Sequence, residues 1–116
     1  MVSSLLCVGL LLFAVVPTTA NAMTPERLYV SCTGEKGLEE RAFCHGYLLG
    51  HFSSVSRSPT NIYCRKTVSI NQLLLAYNVL YVEKGGWKDN PSFAADAVLY
   101  GVWIESGFCW VKPDER

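Results

Sequence analysis

The chain has 116 residues, half of them hydrophobic, and ten basic residues balance ten acidic ones to a net charge of zero. That length holds one domain. Charges scattered along the chain without excess exclude a basic surface built for nucleic acid and any electrostatic attraction to anionic lipid.

Met1 to Ala22 is set apart from the fold. Leu5 to Val16 is an apolar run too short to span a bilayer comfortably, and Pro17 breaks it before the small-residue site Ala20-Asn21-Ala22. This pattern predicts a signal peptide cleaved after Ala22, leaving residues 23–116 as a single helical domain. The leader has no Lys or Arg, so the amino terminus alone supplies the positive n-region, and an uncleaved anchor is the alternative. Cys7 follows Leu6 rather than a small residue, unlike a lipoprotein cysteine, and leaves with the leader.

Cys32, Cys44, Cys64 and Cys109 remain. An even number of cysteines in a short exported chain reads as two disulfides. None of their separations matches a zinc knuckle and the histidines do not complete one, so no metal and no cofactor is expected. A domain this small buries a low fraction of its surface, and disulfides supply what the core lacks.

Thr24-Pro25-Glu26 is a helix start: a hydroxyl to cap the first amides, a proline where its missing N–H is harmless, and an acid at the positive end of the dipole. The first helix should run from Pro25 to about Ser31, be broken by Cys32-Thr33-Gly34, and turn at Glu35 to Gly37. The second should run from Leu38 to about Ser53, around the stretch Arg41 to His51. On a helical wheel Leu48, His51 and Val55 share the side of Cys44. Ala42, Gly46, Leu49 and Ser53 fall opposite, with Phe43, Tyr47 and Gly50 between. Nearly every side is apolar or small, which predicts burial on several sides. Glycines inside a helix cost about 0.5–1 kcal/mol each relative to alanine. Ala42, Gly46 and Gly50, with Tyr47 beside them, therefore point to close helix packing, within the domain or across a homodimer; the nearby charges exclude a membrane span.

Ser53 to Tyr63 is polar, contains Pro59 and lacks a period, so it is expected to be a long loop with Arg57 as its candidate contact. Ser69 and Gln72 form a capping box that opens a third helix to about Lys84, with Ile70, Leu73, Leu74, Tyr77, Leu80 and Tyr81 as its apolar stripe. Gly85-Gly86 ends it. Asn90-Pro91 is expected to start a fourth helix that runs to Ser106 and stops at Gly107, with Phe93, Ala97, Tyr100 and Ile104 as one stripe. The tail from Val111 to Arg116 should fray. Helices three and four, similar in length and joined by a short loop, are expected to form an antiparallel hairpin. This favours Cys64 with Cys109 and Cys32 with Cys44 over the two other connectivities. The fold class is all-α: a bundle of about four helices stapled by two disulfides.

No residue pattern announces an enzyme. His45 and His51 lie about 120 degrees apart round a helix, so one helix cannot aim both at one ion. Cys44 and His45 are adjacent and do not face each other. Asp96 and Glu105 read as the solvated face of helix four, and Tyr77, Tyr81 and Tyr100 as core or dimer-edge residues. The segment Lys84, Gly85, Gly86, Trp87, Lys88, Asp89 and Asn90 differs. Tryptophan dominates interface hot spots, so a Trp87 flanked by glycines and charges has the composition of a partner-binding anchor. The alternative is that it folds back over the helical hairpin.

A leader, a cysteine closing a first helix, the run Cys44-His45-Gly46-Tyr47-Leu48-Leu49-Gly50, a cysteine before a capped helix with Gln72-Leu73, and a final Phe108-Cys109 together resemble the Rap/Tai family, the immunity proteins for type VI secretion amidase effectors. The resemblance covers essentially all of residues 23–116. It departs at Phe108, where that family usually has proline, and at Cys64-Arg65-Lys66, where it tends to have Cys-hydrophobic-Pro. It implies a small helical periplasmic protein, often dimeric, whose protein partner is a cell-wall amidase and whose own residues are not catalytic. Neither nucleic acid nor, after leader cleavage, membrane is an implied partner. A different reading is a periplasmic structural or acid-stress chaperone-like protein that exposes apolar surface when its acidic groups protonate.

Overall fold

The structure is a computed structural model that describes residues 23–58, 61–90 and 93–112. The expected leader and its cleavage site lie outside the described residues. Helix α1 (Pro25–Thr33) starts as its sequence dictates, with the Thr24 hydroxyl accepting from the Arg27 N–H at 3.1 Å. It ends at Gly34, which takes a left-handed φ of 77°. Cys32 is thus inside the last turn rather than beyond it.

Helix α2 (Leu38–Arg57) is longer than expected. Its last turn, read in sequence as loop, bonds back onto its own backbone: the Ser56 hydroxyl donates to the Phe52 carbonyl at 2.9 Å and Arg57 Nε to the Ser53 carbonyl at 3.3 Å. Buried Val55 anchors that turn to the core. Strand β1 (Ile62–Cys64) follows, and the expected loop shrinks to the few residues between them.

Helix α3 (Ile70–Glu83) carries the full capping box, in which Ser69 and Gln72 satisfy each other's backbone N–H. A 3₁₀ turn (Gly85–Trp87) follows it. Helix α4 (Ala95–Glu105) begins later than Asn90-Pro91 predicts. The Ala95 N–H donates to the Met23 carbonyl at 2.9 Å, so the start of α4 is set by its contact with the approach to α1. Strand β2 (Cys109–Val111) takes up residues expected to belong partly to a frayed tail.

The two strands pair antiparallel, with Ile62 opposite Val111, Tyr63 opposite Trp110 and Cys64 opposite Cys109. The fold is therefore mostly helical with a small ribbon, rather than purely α. Both disulfides join the expected partners, Cys32 with Cys44 and Cys64 with Cys109. Beside the first, the buried Ser31 hydroxyl donates to Glu40 Oε2 at 2.6 Å and ties α1 to α2 a second time.

The core takes Leu28 from α1, Cys44, Leu48, Phe52 and Val55 from α2, and Leu73, Tyr77 and Leu80 from α3, as the wheel and stripe readings expect for α2 and α3. Tyr77 donates its hydroxyl to the Pro25 carbonyl, which satisfies the one polar atom of a fully buried ring. Helix α4 turns the other way from its expected orientation. It buries Ala95, Val98, Leu99, Val102 and Trp103 and leaves Phe93, Tyr100 and Ile104 exposed. A helix apolar all round offers more than one stripe, and packing against Phe52 selected the one holding Trp103.

The hairpin expectation also needs correction. Lys84, which caps α3, pairs with Glu105 in the last turn of α4 at 3.3 Å. In an antiparallel hairpin those ends would be roughly 20 Å apart, a helix length. The C-terminal ends of α3 and α4 meet instead.

The two disulfides should differ in weight. Cys64–Cys109 spans 45 residues and Cys32–Cys44 spans 12. Loop-closure entropy then gives about 4 kcal/mol for the first and about 3 for the second. Urea denaturation of the paired serine variants should show Cys64→Ser with Cys109→Ser as the less stable by about 1 kcal/mol.

Candidate functional site

The segment from Lys84 to Asn90 is a tight knuckle. Gly85, Gly86 and Trp87 take φ of 60°, 69° and 56° in succession. A side chain at Gly86 would be strained, since a Cβ would lie 2.9 Å from the Tyr81 hydroxyl at an already left-handed φ and Tyr81 would have to shift. Trp87 is the one described non-glycine residue with positive φ, a conformation that costs an L-residue about 1–2 kcal/mol. Ring packing offsets that cost. The indole stacks on Tyr77 at 6.2 Å and 15° and meets Tyr81 edge-on at 6.0 Å, and Tyr81 in turn stacks on Tyr29 at 3.9 Å.

Trp87 is therefore half-buried, which corrects the expectation of an exposed anchor and fulfils the alternative that it folds back. What the knuckle exposes is Lys84, Gly85, Lys88, Asp89 and Asn90, of which Lys84 is held by Glu105. One edge of Trp87 lines a hollow of about 220 Å³ with Thr24, Pro25, Glu26, Lys88 and Phe93.

Arg57 is exposed at the end of α2, not on a loop, and shares a hollow of about 270 Å³ with Lys66, Ser53 and Ser56. On the outer side of α2, Ala42, Gly46 and Gly50 are exposed. Among the described residues nothing comes within 4 Å of a Cβ built at Gly46 or Gly50. Close packing within the domain is thus not the reason for them, and α2 is not buried on several sides. Tyr47 turns from that stripe toward α4, where its hydroxyl donates to Asp96 Oδ1. Burial first, and then that carboxylate, hold the Tyr47 hydroxyl well above the ordinary phenol range.

His51 sits in the same α2–α4 seam. Its Nδ1 accepts from the fully buried Trp103 Nε1–H at 3.0 Å, and the Tyr100 ring meets it edge-on at 5.1 Å. An indole N–H only donates, so the imidazole is the neutral form with its proton on Nε2. Burial pushes the His51 pKa below the ordinary value, against the opposing influence of the Asp96 carboxylate and a hydrogen bond to the Asp96 backbone. His51 is a packed histidine, bonded across helices. His45 Nε2 is buried without a hydrogen-bond partner among the described residues. No group of three or more His, Cys, Asp or Glu among those residues is placed to hold a metal ion, and no described helix is long and apolar enough to cross a membrane.

Sequence reasoning missed the seam and the ribbon. Asp96, read as solvated, is the acceptor for Tyr47, and Trp103 went unplaced. Ile62-Tyr63-Cys64 and Cys109-Trp110-Val111 are two β-prone triplets, each carrying one member of an expected disulfide. That coincidence was the available signal for paired strands. Comparison of the chain with protein-family models, with curated proteins and with solved structures finds no match.

Protonation of His51 should loosen the seam. Because its folded pKa is lowered, the unfolded chain takes up the proton first, and stability falls as pH drops below about 6.5 toward the folded value. Thermal midpoints measured between about pH 7 and about pH 5 should decline more steeply for the wild type than for His51→Phe, which cannot titrate. At about pH 7 that variant should be less stable by about 1–3 kcal/mol, since the buried Trp103 N–H loses its acceptor.

Proposed function

We propose that this chain is a periplasmic immunity protein that binds a type VI secretion peptidoglycan amidase effector and inhibits it by occluding the active-site cleft, without catalytic residues of its own. The observation that carries the reading is the knuckle from Lys84 to Asn90. Blocking a cleft needs a protrusion that does not have to be ordered on binding, because ordering side chains and loops weakens association. Three successive left-handed residues braced by stacked rings make a pre-ordered turn that keeps Lys84, Gly85, Lys88, Asp89 and Asn90 exposed, and strained backbone of this kind clusters at functional sites.

Two further features support a protein-binding role. The disulfides are consistent with an oxidising compartment outside the cytoplasm. Large apolar side chains are exposed on the outer faces of the helices, with Leu75 and Val82 of α3 each about two-thirds accessible. A homodimer through the open Ala42, Gly46 and Gly50 stripe belongs to the same proposal. In light scattering the wild type should give a dimer's mass and Gly46→Leu a monomer's.

The function is tested by mixing the protein with purified exported peptidoglycan amidases and following cell-wall hydrolysis. At least one amidase should lose activity at equimolar inhibitor. Exchanging the exposed charges, Lys88→Asp with Asp89→Lys, should weaken inhibition about tenfold, the effect of one interface hot spot. Trp87→Ala should lower stability by about 2 kcal/mol and weaken inhibition together, because the ring braces the knuckle. An amidase panel left wholly active would sink the reading. Inhibition that ignores both knuckle variants would remove the knuckle from it.

A further inference from the structure

The ribbon carries a second surface that the knuckle does not explain. Its register sends Cys64 and Cys109 toward the core and puts Tyr63 and Trp110 directly opposite each other on the other face, each 46% accessible. The next pair in register is the Cys64–Cys109 bridge, so this aromatic pair is held on backbone that is covalently closed. Lys112 lies two residues beyond Trp110, its Nζ 5.6 Å from the centre of the Tyr63 ring.

The chain segments that form and flank the ribbon carry more cations than carboxylates, although the whole chain is neutral. From Arg41 through Val82 there is no Asp or Glu. Within that stretch Arg65 follows β1 directly, its N–H donating to the Phe108 carbonyl at 2.9 Å, and Lys66 shares the hollow at the end of α2 with Arg57. Asp114 and Glu115 follow Lys112 in the sequence, outside the described residues, with Arg116 beside them. Along the sequence, residues 57–66 and 108–116 together hold five basic and two acidic side chains.

We propose that the ribbon face of Tyr63 and Trp110 is a docking surface for an acidic polypeptide segment of a partner protein. Tryptophan, tyrosine and arginine are the residues that carry interface energy. Aromatic side chains on a closed ribbon lose little freedom when they bind. Arg65 at the end of β1, with Lys66 and Arg57 in the hollow beyond it, selects carboxylates and rejects basic partners by like-charge repulsion. A nucleic acid fits less well, since a chain of zero net charge lacks the long-range attraction that drives such binding. The proposal goes beyond cleft occlusion: it uses different residues and holds whatever the partner's activity is.

The test is an NMR titration of the oxidised protein with a synthetic peptide of Glu-Leu-Ser repeats and its Lys-Leu-Ser counterpart, up to about 1 mM. The acidic peptide should give saturable shifts at Tyr63, Arg65 and Trp110 that weaken with salt, and the basic one none. Trp110→Ala should weaken binding about tenfold. The double charge reversal Arg57→Glu with Arg65→Glu, which leaves the ribbon's aromatic pair in place, should do the same. An unchanged Trp103 indole resonance shows that each variant is folded. No binding of the acidic peptide, equal binding of the basic one, or shifts confined to other surfaces would each overturn the proposal. So would tighter binding of polygalacturonate or of an oligothymidylate, which would make the ribbon a glycan or nucleic-acid surface.

Discussion

The constraint on which the rest depends is the bond between Cys64 and Cys109. These residues stand opposite each other in the ribbon, and between them the chain runs out through α3, the knuckle and α4 and returns. Closing that path fixes where α4 must end, and the end of α4 fixes its rotation. Phe108, one residue before the bridge, packs on Trp103 at 6.4 Å and donates its N–H to the Trp103 carbonyl. Trp103 then reaches across to His51 and Phe52 of α2. One covalent bond thereby sets the register of the seam between two helices that are far apart in sequence.

A second, independent brace gathers around Tyr77. Tyr77 bonds to the start of α1, and Tyr29, Tyr81 and Trp87 stack beside it. These rings do at the knuckle what the disulfide does at the ribbon, by dispersion and burial rather than by a covalent link. The difference matters for dynamics. A braced knuckle can open locally by releasing one indole, whereas the ribbon opens only with reduction or with separation of the strands from the core. Both surfaces are pre-ordered, the ribbon by a covalent bond and the knuckle by its packed rings.

Local chemistry made several elements legible in the sequence. Thr24-Pro25-Glu26 and Ser69 with Gln72 are capping signals whose physics is complete within four residues, and both helices start where those residues say. The cysteine pairing followed from element order, even though the hairpin that motivated it runs differently in the structure. What was hidden depended on tertiary choice. Nothing in α4 distinguishes the stripe of Tyr100 and Ile104 from that of Val98 and Trp103, because its charged residues Asp96 and Glu105 lie about 180° apart round the helix and mark no single outer face. The last turn of α2 looked like loop because the stretch is polar, lacks a period and runs on to Pro59, whereas hydrogen bonds to its own helix and buried Val55 keep it helical. Trp87 could be assigned neither inside nor outside without the positions of Tyr77 and Tyr81.

The same lack of contrast bears on function. A helix whose only task is to cover a core is apolar on one face and polar on the other. Neither α2 nor α4 follows that rule: Phe43 and Leu49 of α2 and Tyr100 and Ile104 of α4 remain in contact with solvent. Isolated apolar residues on a surface are ordinary, but these lie on adjacent helices joined at one seam, and the disulfides already supply the stability that extra core burial would otherwise be needed for. Folding therefore does not account for them. A chain whose interior is secured by two covalent bonds and one aromatic cluster can leave several apolar faces outward and still hold its fold.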